Sequence, residues 1–130
     1  MIATTIEQSK KLLELGLNPE TADMSYNPNF YDETYELTVH PYKDWIPPKY
    51  TEGHNFNLLP AWSLSALLEL MPNLNGRIPV LCRSMRNNKW WVVYHSTAIN
   101  EAIQTECYDE PLDAAFEMIV WLLEQKSFDY

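Results

Sequence analysis

Five prolines fall within residues 24–62 and exclude a long helix there, because proline lacks a backbone donor and restricts the residue before it. The same stretch carries nine aromatic residues. Disordered segments lack apolar groups to bury, so this aromatic density predicts order. We expect a strand over 34–39 and then a proline- and aromatic-rich loop at about 40–60 that lies over the core. Long helices must therefore come from the rest of the chain.

Three helices outside this loop have clear start or stop signals. The first begins with a capping box at either Thr4 or Thr5, and Gly16 ends it. The second has Ser63 as its N-cap. The third opens with Pro111 in its first turn. Backbone N–H groups there have no partner within the helix, so a proline costs no hydrogen bond.

Two strands are predicted over 77–84 and 89–96, joined by a tight, asparagine-containing hairpin. Both are apolar at successive positions, which is typical of strands covered on both faces. Residues 103–108 can add a further strand. Strands joined by a hairpin favour an antiparallel sheet over a doubly wound parallel one. We therefore expect an α+β fold: a small antiparallel sheet of three to four strands with a central hairpin, packed by about three helices.

The length of 130 residues fits a single domain, 1–130, and 46% apolar residues supply a core without disulfides or metals. The two cysteines, Cys82 and Cys107, are too few and too far apart for a disulfide framework. No signal peptide opens the sequence, and no apolar run reaches the roughly 20 residues that span a bilayer. We expect a cytoplasmic monomer or homodimer with no membrane association.

The net charge is −9, and the charges are segregated along the chain. Residues 1–60 carry −5, residues 61–96 carry +3 and residues 97–130 carry −7. Nucleic-acid binders usually carry a basic footprint, so the total argues against nucleic acid as the partner. Acidic ends around a basic middle are explained by solubility and self-complementarity, or by an acidic binding surface.

The sequence contains no recognisable catalytic or metal-binding motif. The three glycines are scattered, which excludes a phosphate-binding loop. Cys82, His95 and Cys107 lack the close paired spacing of zinc ligands. Asp113 and Glu117 share one face of the last helix, and we interpret them as a solvated face that favours the helix dipole. No catalytic residue, cofactor or metal is predicted.

One candidate binding surface is the basic, aromatic hairpin of the two predicted strands. Aromatic rings interleaved with basic side chains can stack bases and neutralise phosphates. Two adjacent tryptophans point to opposite faces of a strand, so at least one belongs to the core. The residues of this candidate are Arg77, Arg83, Arg86, Lys89 and Trp91.

A second candidate is the segment HPYKDWIPPKY, which begins at His40. Its large rings on a stiff backbone can anchor a protein partner, because interface hot spots are enriched in tryptophan and tyrosine. The same rings could stack on a sugar or form a roof over the core. The partner-binding hypothesis falls on Tyr42, Trp45 and Tyr50.

Three segments resemble a group of small uncharacterised proteins of Bacteroides-type gut bacteria and their phages or mobile elements. They are TTIEQSKKLLELGLNPETADM, PAWSLSALLELMP and EPLDAAFEMIVWLLE. The resemblance covers both ends and the middle of the chain, and it rests on helical segments without a catalytic signature. It implies a cytoplasmic accessory protein of phage or mobile-element origin and brings no functional residues with it.

The sequence as a whole predicts a non-enzymatic interaction protein with a protein partner. A sharper form is acidic mimicry of nucleic acid, in which the carboxylates at both ends capture a basic, nucleic-acid-handling host protein. Two alternatives stay open. One is a small enzyme whose site, a carboxylate with His95 or His54 as base, assembles only in the fold. The other is a nucleic-acid-binding module that uses the hairpin 77–94.

Overall fold

A computed structural model describes residues 2–28, 34–39, 58–74, 76–95 and 103–125. Within these ranges the predicted α+β class is confirmed, with three α-helices, a short 3-10 helix and two small antiparallel sheets. None of the described helices is long and apolar enough to cross a membrane. The helices are α1 (Ile6–Glu14), α2 (Leu64–Leu70) and α3 (Pro111–Glu124), with the 3-10 helix at Pro19–Thr21. The strands are β1 (Met24–Pro28), β2 (Tyr35–Thr38), β3 (Leu59–Ala61), β4 (Pro79–Arg83), β5 (Trp90–Tyr94) and β6 (Ile103–Gln104).

The strands are divided between two three-stranded sheets, whereas the sequence predicted one sheet. In the first, β1 lies between β2 and β3 and pairs antiparallel with both. In the second, β5 lies between β4 and β6, and β4 with β5 is the predicted hairpin. The predicted strand at 34–39 is therefore present as β2, but it belongs to the first sheet. The reason is β1, a short strand after the 3-10 helix in which the alternation of Met24 and Tyr26 with Ser25 and Asn27 ends at Pro28.

The hairpin strands differ in burial, although both were expected to be covered on both faces. Val92, Val93 and Tyr94 of β5 are at most 2% exposed, whereas β4 is only half-buried. Among the described residues β4 pairs with β5 alone, so it forms an edge of this sheet. The turn between them contains Asn88 at φ +58°, a conformation that asparagine tolerates well.

Local capping signals set the helix ends. Thr5 caps α1, because its Oγ1 accepts a hydrogen bond from the Gln8 N–H at 3.1 Å while Gln8 Oε1 accepts one from the Thr5 N–H at 2.9 Å. Gly16, at φ +96°, follows α1 in the left-handed conformation that favours glycine. Ser63 caps α2 by accepting a hydrogen bond from the Ala66 N–H at 3.2 Å. These predicted signals are confirmed, and of the two capping boxes the one at Thr5 forms.

The main core lies between α3, α2 and β5. Eight residues of α3 are buried, and this helix packs against both other elements. Tyr94 of β5 is fully buried, and its hydroxyl donates a hydrogen bond to the Pro72 carbonyl at 2.8 Å. Because α3 has so much apolar surface in the core, its polar residues are confined to the remaining face.

A buried polar network joins the start of the chain to β3. Thr4, fully buried, accepts a hydrogen bond from the Trp62 N–H at 3.1 Å and shares one with the Ser9 hydroxyl at 2.8 Å. The Thr4 N–H donates to the Trp62 carbonyl at 2.9 Å, and the Trp62 indole N–H donates to Thr21 Oγ1 at 2.9 Å. Asp23 accepts hydrogen bonds from both the N–H and the hydroxyl of Ser63. Satisfied buried networks of this kind fix one arrangement of the elements they join.

This network predicts different effects for two serine-to-alanine substitutions on helices. Ser9→Ala should lower the free energy of unfolding by about 1–2 kcal/mol, because it leaves the buried Thr4 hydroxyl with one partner fewer. Ser65→Ala, at an exposed position of α2, should be neutral or raise it by up to about 0.5 kcal/mol through helix propensity. Urea unfolding curves of the two variants test this. Equal midpoints would mean that the network contributes nothing to stability.

Candidate functional site

The aromatic loop candidate lies outside the described residues. Tyr42, Trp45 and Tyr50 fall within 40–57, between two described ranges. Of the predicted loop only residues 58–60 are described, and the prediction is wrong for Leu59 and Pro60, which belong to β3. Partner binding by these three rings stays a prediction.

The residues of the basic, aromatic hairpin lie in different local environments. Arg83 lies over the Trp90 ring, 5.3 Å from its centroid, and these two residues are direct neighbours across the hairpin. Trp91 pairs with Cys82 instead, and neighbouring strand residues alternate in direction, so Trp91 lies on the opposite face from Trp90. Of the remaining candidates, Arg77 is joined to Leu74 by two backbone hydrogen bonds, Arg86 is exposed in the turn and Lys89 precedes β5. The residues Arg77, Arg83, Arg86, Lys89 and Trp91 therefore do not share one stacking face.

The cysteines and His95 are kept apart by the second sheet. Cys82 pairs with Trp91 from the β4 side, while Cys107 lies in the segment that follows β6 on the other side of β5. Both are free thiols, and His95 is exposed at the end of β5. Within the described ranges no three metal-ligating side chains come together.

A groove lies between α3 and residues 103–108. Its volume is about 370 Å³, within the lower range of ligand pockets. The side chains that decide its chemistry are three carboxylates, one cation and two large rings. These are Glu106, Glu117, Glu124, Lys11, Tyr108 and Trp121.

Residues 103–108 reach the groove because their pairing with β5 contains an extra residue. The Thr105 N–H donates to the Val92 carbonyl at 2.9 Å, and Tyr108 exchanges two 2.7 Å hydrogen bonds with Trp90. Two residues, Glu106 and Cys107, therefore lie opposite the single residue Trp91. A bulge of this kind bends the strand and redirects its side chains.

The other wall comes from the polar face of α3. Glu117, Trp121 and Glu124 are spaced by four and three residues, which places them on one face of the helix. Asp113, one turn before Glu117, accepts a hydrogen bond from Gln8 Nε2 at 2.8 Å and so links α3 to α1. The sequence interpretation treated Asp113 and Glu117 alike, but the structure gives Asp113 a partner and places Glu117 in the groove.

The groove is lined by more acidic than basic side chains, with three glutamates and one lysine among the described residues. Burial raises the pKa of the Glu117 carboxyl above its ordinary value, and Lys11 acts in the opposite direction. The carboxylates of Asp113, Glu124 and Glu106 raise that pKa further. The effect of Lys11 on the pKa of Glu117 is thus outweighed by burial and the acidic groups, and the charged form of Glu117 is disfavoured.

The pKa of the Tyr108 phenol is raised by some of the same carboxylates. Its pKa is raised by burial first, and then by the carboxylates of Glu117, Glu106 and Asp113. The hydroxyl of Thr105, also in the groove, is already engaged with Val92 and with the Glu106 carbonyl. Among the described residues that line the groove there is no cysteine, serine or histidine.

Comparison with known proteins adds no assignment to this geometry. No protein-family model, curated protein or solved structure matches the chain. The groove is therefore interpreted from its own side chains. Carboxylates beside aromatic rings attract organic cations, because both the charge and the ring face favour a positive group.

The raised pKa of Glu117 predicts that Glu117→Gln stabilises the protein at pH 7. Removing the like-charge pair with Asp113, four residues away, should add about 0.2–0.5 kcal/mol and raise Tm by about 1–2 °C. Glu69→Gln, at an exposed position of α2, removes the same charge and should leave Tm unchanged. Differential scanning calorimetry of both variants gives the comparison. A lower Tm for Glu117→Gln would indicate that the carboxylate has a stabilising partner.

The gain from Glu117→Gln should also depend on pH. A carboxyl whose folded pKa is raised holds its proton more tightly in the folded state than in the unfolded chain, so its ionisation costs stability. The cost is present above the raised pKa and disappears as the pH falls below the ordinary value of 4.5. The Tm difference between wild type and variant should therefore shrink toward zero on acidification. A difference independent of pH would show that charge is not its cause.

Proposed function

We propose that this protein is a non-enzymatic interaction protein that binds a basic protein partner through its acidic C-terminal face. This face consists of the carboxylates of α3 and of the segment that leads into it. The members are Glu106, Asp109, Glu110, Asp113, Glu117 and Glu124. No lysine or arginine occurs anywhere in residues 103–125.

The observation that carries the proposal is the electrostatic cost of this arrangement to the protein itself. Acidic residues in the first turn favour a helix dipole, but Glu117 and Glu124 lie in the middle and at the end of α3. Burial is the main cause that raises the pKa of Glu117; Lys11 lowers it, and the carboxylates of Asp113, Glu124 and Glu106 raise it further. Charges that lower the stability of the fold are expected at binding sites. A cationic partner would interact favourably with these carboxylates.

The two alternative functions have less support among the described residues. A stacking surface for nucleic acid needs rings available on one face, whereas Trp90 carries Arg83 and packs against the core while Trp91 lies on the other face. A histidine-based site needs a carboxylate within hydrogen-bond reach, and His95 makes no such bond within the described part of the chain. His54, the other candidate base, lies outside the described residues.

A more specific form of the proposal is that the carboxylates mimic the phosphates of nucleic acid and so bind a host protein. It is motivated by the acidic ends of the sequence and by the resemblance to proteins of phages and mobile elements. The partner would then be a basic, nucleic-acid-handling protein whose phosphate-binding surface accepts carboxylates. Such a complex forms in the cytoplasm of the host.

A pull-down with two charge-matched variants tests the proposal. The first variant, Glu106→Gln with Asp109→Asn and Glu124→Gln, neutralises three exposed carboxylates of the acidic C-terminal face. The control, Glu7→Gln with Glu14→Gln and Glu69→Gln, neutralises three exposed carboxylates of α1 and α2. Wild type and control should retain a stoichiometric basic protein from bacterial lysate, and the first variant should lose it.

The salt dependence completes this test. The retained protein should elute at moderate salt, because exposed charges separated by more than about 10 Å are screened at 0.1 M ionic strength. Mass spectrometry of the eluate identifies the partner and its isoelectric point. Capture that is insensitive to salt, or that is equal for both variants, would contradict the proposal.

A further inference from the structure

We infer that the groove between α3 and residues 103–108 is the seat for an arginine side chain of the partner. This inference rests on the proposed function and makes it more specific. The acidic C-terminal face as a whole attracts a basic surface, whereas the groove selects one side chain on that surface.

The size of the groove is sufficient for a single long side chain. A volume of about 370 Å³ lies near the lower end of the range for small-molecule pockets, which is about 300–1,000 Å³. An extended arginine fits such a space with its aliphatic stem along apolar groups. Ile103, Phe116 and Val120 of the lining supply that apolar surface.

The polar end of the groove matches a guanidinium group. Glu117 is half-buried, so a hydrogen bond to its carboxylate is less weakened by water than one at the open surface. A planar guanidinium can bond this carboxylate bidentately and stack on an aromatic ring, which an ammonium group cannot do. The rings of Tyr108 and Trp121 line the same groove. These features favour arginine over lysine.

Lys11 is a basic residue of the same groove, and its removal should have the opposite effect on binding to the removal of Glu117. It lines the groove and lowers the pKa of Glu117, so it competes with an incoming cation for the carboxylate. Its neighbour Lys10 is equally exposed on α1 but does not line the groove. Removing Lys11 should therefore strengthen binding of a cation, while removing Lys10 should have little effect.

The experiment is fluorescence anisotropy with a fluorescein-labelled, end-blocked Ser-Gly-Arg-Gly-Ser peptide at low salt. Matched peptides carry lysine or citrulline, the neutral isostere of arginine, in the central position. The arginine peptide should bind more tightly than the lysine peptide, and the citrulline peptide should not bind. Equal binding of the arginine and citrulline peptides would overturn the inference.

Four variants locate the binding on the protein. Glu117→Gln should weaken the arginine peptide about tenfold, as expected for loss of a charged hydrogen bond, while Glu69→Gln leaves it unchanged. Lys11→Gln should strengthen binding about two- to threefold, and Lys10→Gln should not. Circular dichroism checks that each variant is folded. Equal effects within either matched pair would overturn the assignment to the groove.

The outcomes separate this inference from the proposed function. If the salt-sensitive partner is still captured through the acidic C-terminal face while Glu117→Gln has no effect on it, the function stands and the arginine seat is wrong. If neither the partner nor the peptide binds, both are wrong. A concentration-dependent dimer that Glu117→Gln and Arg86→Gln each dissociate would show that a second copy of this chain occupies the groove, which also overturns the inference.

Discussion

Trp62 is the residue on which the arrangement of the described elements depends. It is completely buried, its backbone N–H and carbonyl bond Thr4, and its indole N–H bonds Thr21. Through these contacts one residue joins the start of α1, the 3-10 helix and the end of β3. The next residue, Ser63, caps α2 and is held by Asp23. A bulky ring with every polar atom satisfied tolerates little variation, so the first sheet and α2 have a fixed relation.

The acidic C-terminal face is a consequence of the same packing. The apolar side of α3 is used against α2 and β5, and its carboxylates therefore share the opposite face with the segment that pairs with β5. The bulge at Glu106 and Cys107 brings a second source of acidic and aromatic groups to this face. The result is a groove in which burial and neighbouring carboxylates raise the pKa of Glu117.

Local signals in the sequence predicted much of the fold, because they act within a few residues. Ser63, Gly16 and the asparagine-containing hairpin turn are examples, and each adopts the conformation that its chemistry favours. The division into two sheets was missed, since β1 is short, its apolar–polar alternation ends at Pro28, and one of its two partners, β3, lies far along the chain. The groove was missed for the same reason: Glu117 looked like part of a solvated face, and only the tertiary fold places Tyr108 and Lys11 near it. A clue was available in the acidic excess of residues 97–130, where Lys126 is the single basic residue.

The most direct test of the acidic groove as the binding site is an NMR titration of ¹⁵N-labelled protein with the arginine peptide. The account predicts that backbone amide shifts change in residues 103–108 and on the polar face of α3 around Glu117 and Trp121. The α2 helix and the hairpin turn at 84–89 should serve as unperturbed references. Shifts concentrated in the hairpin, or spread evenly over all exposed acidic residues, would contradict the account.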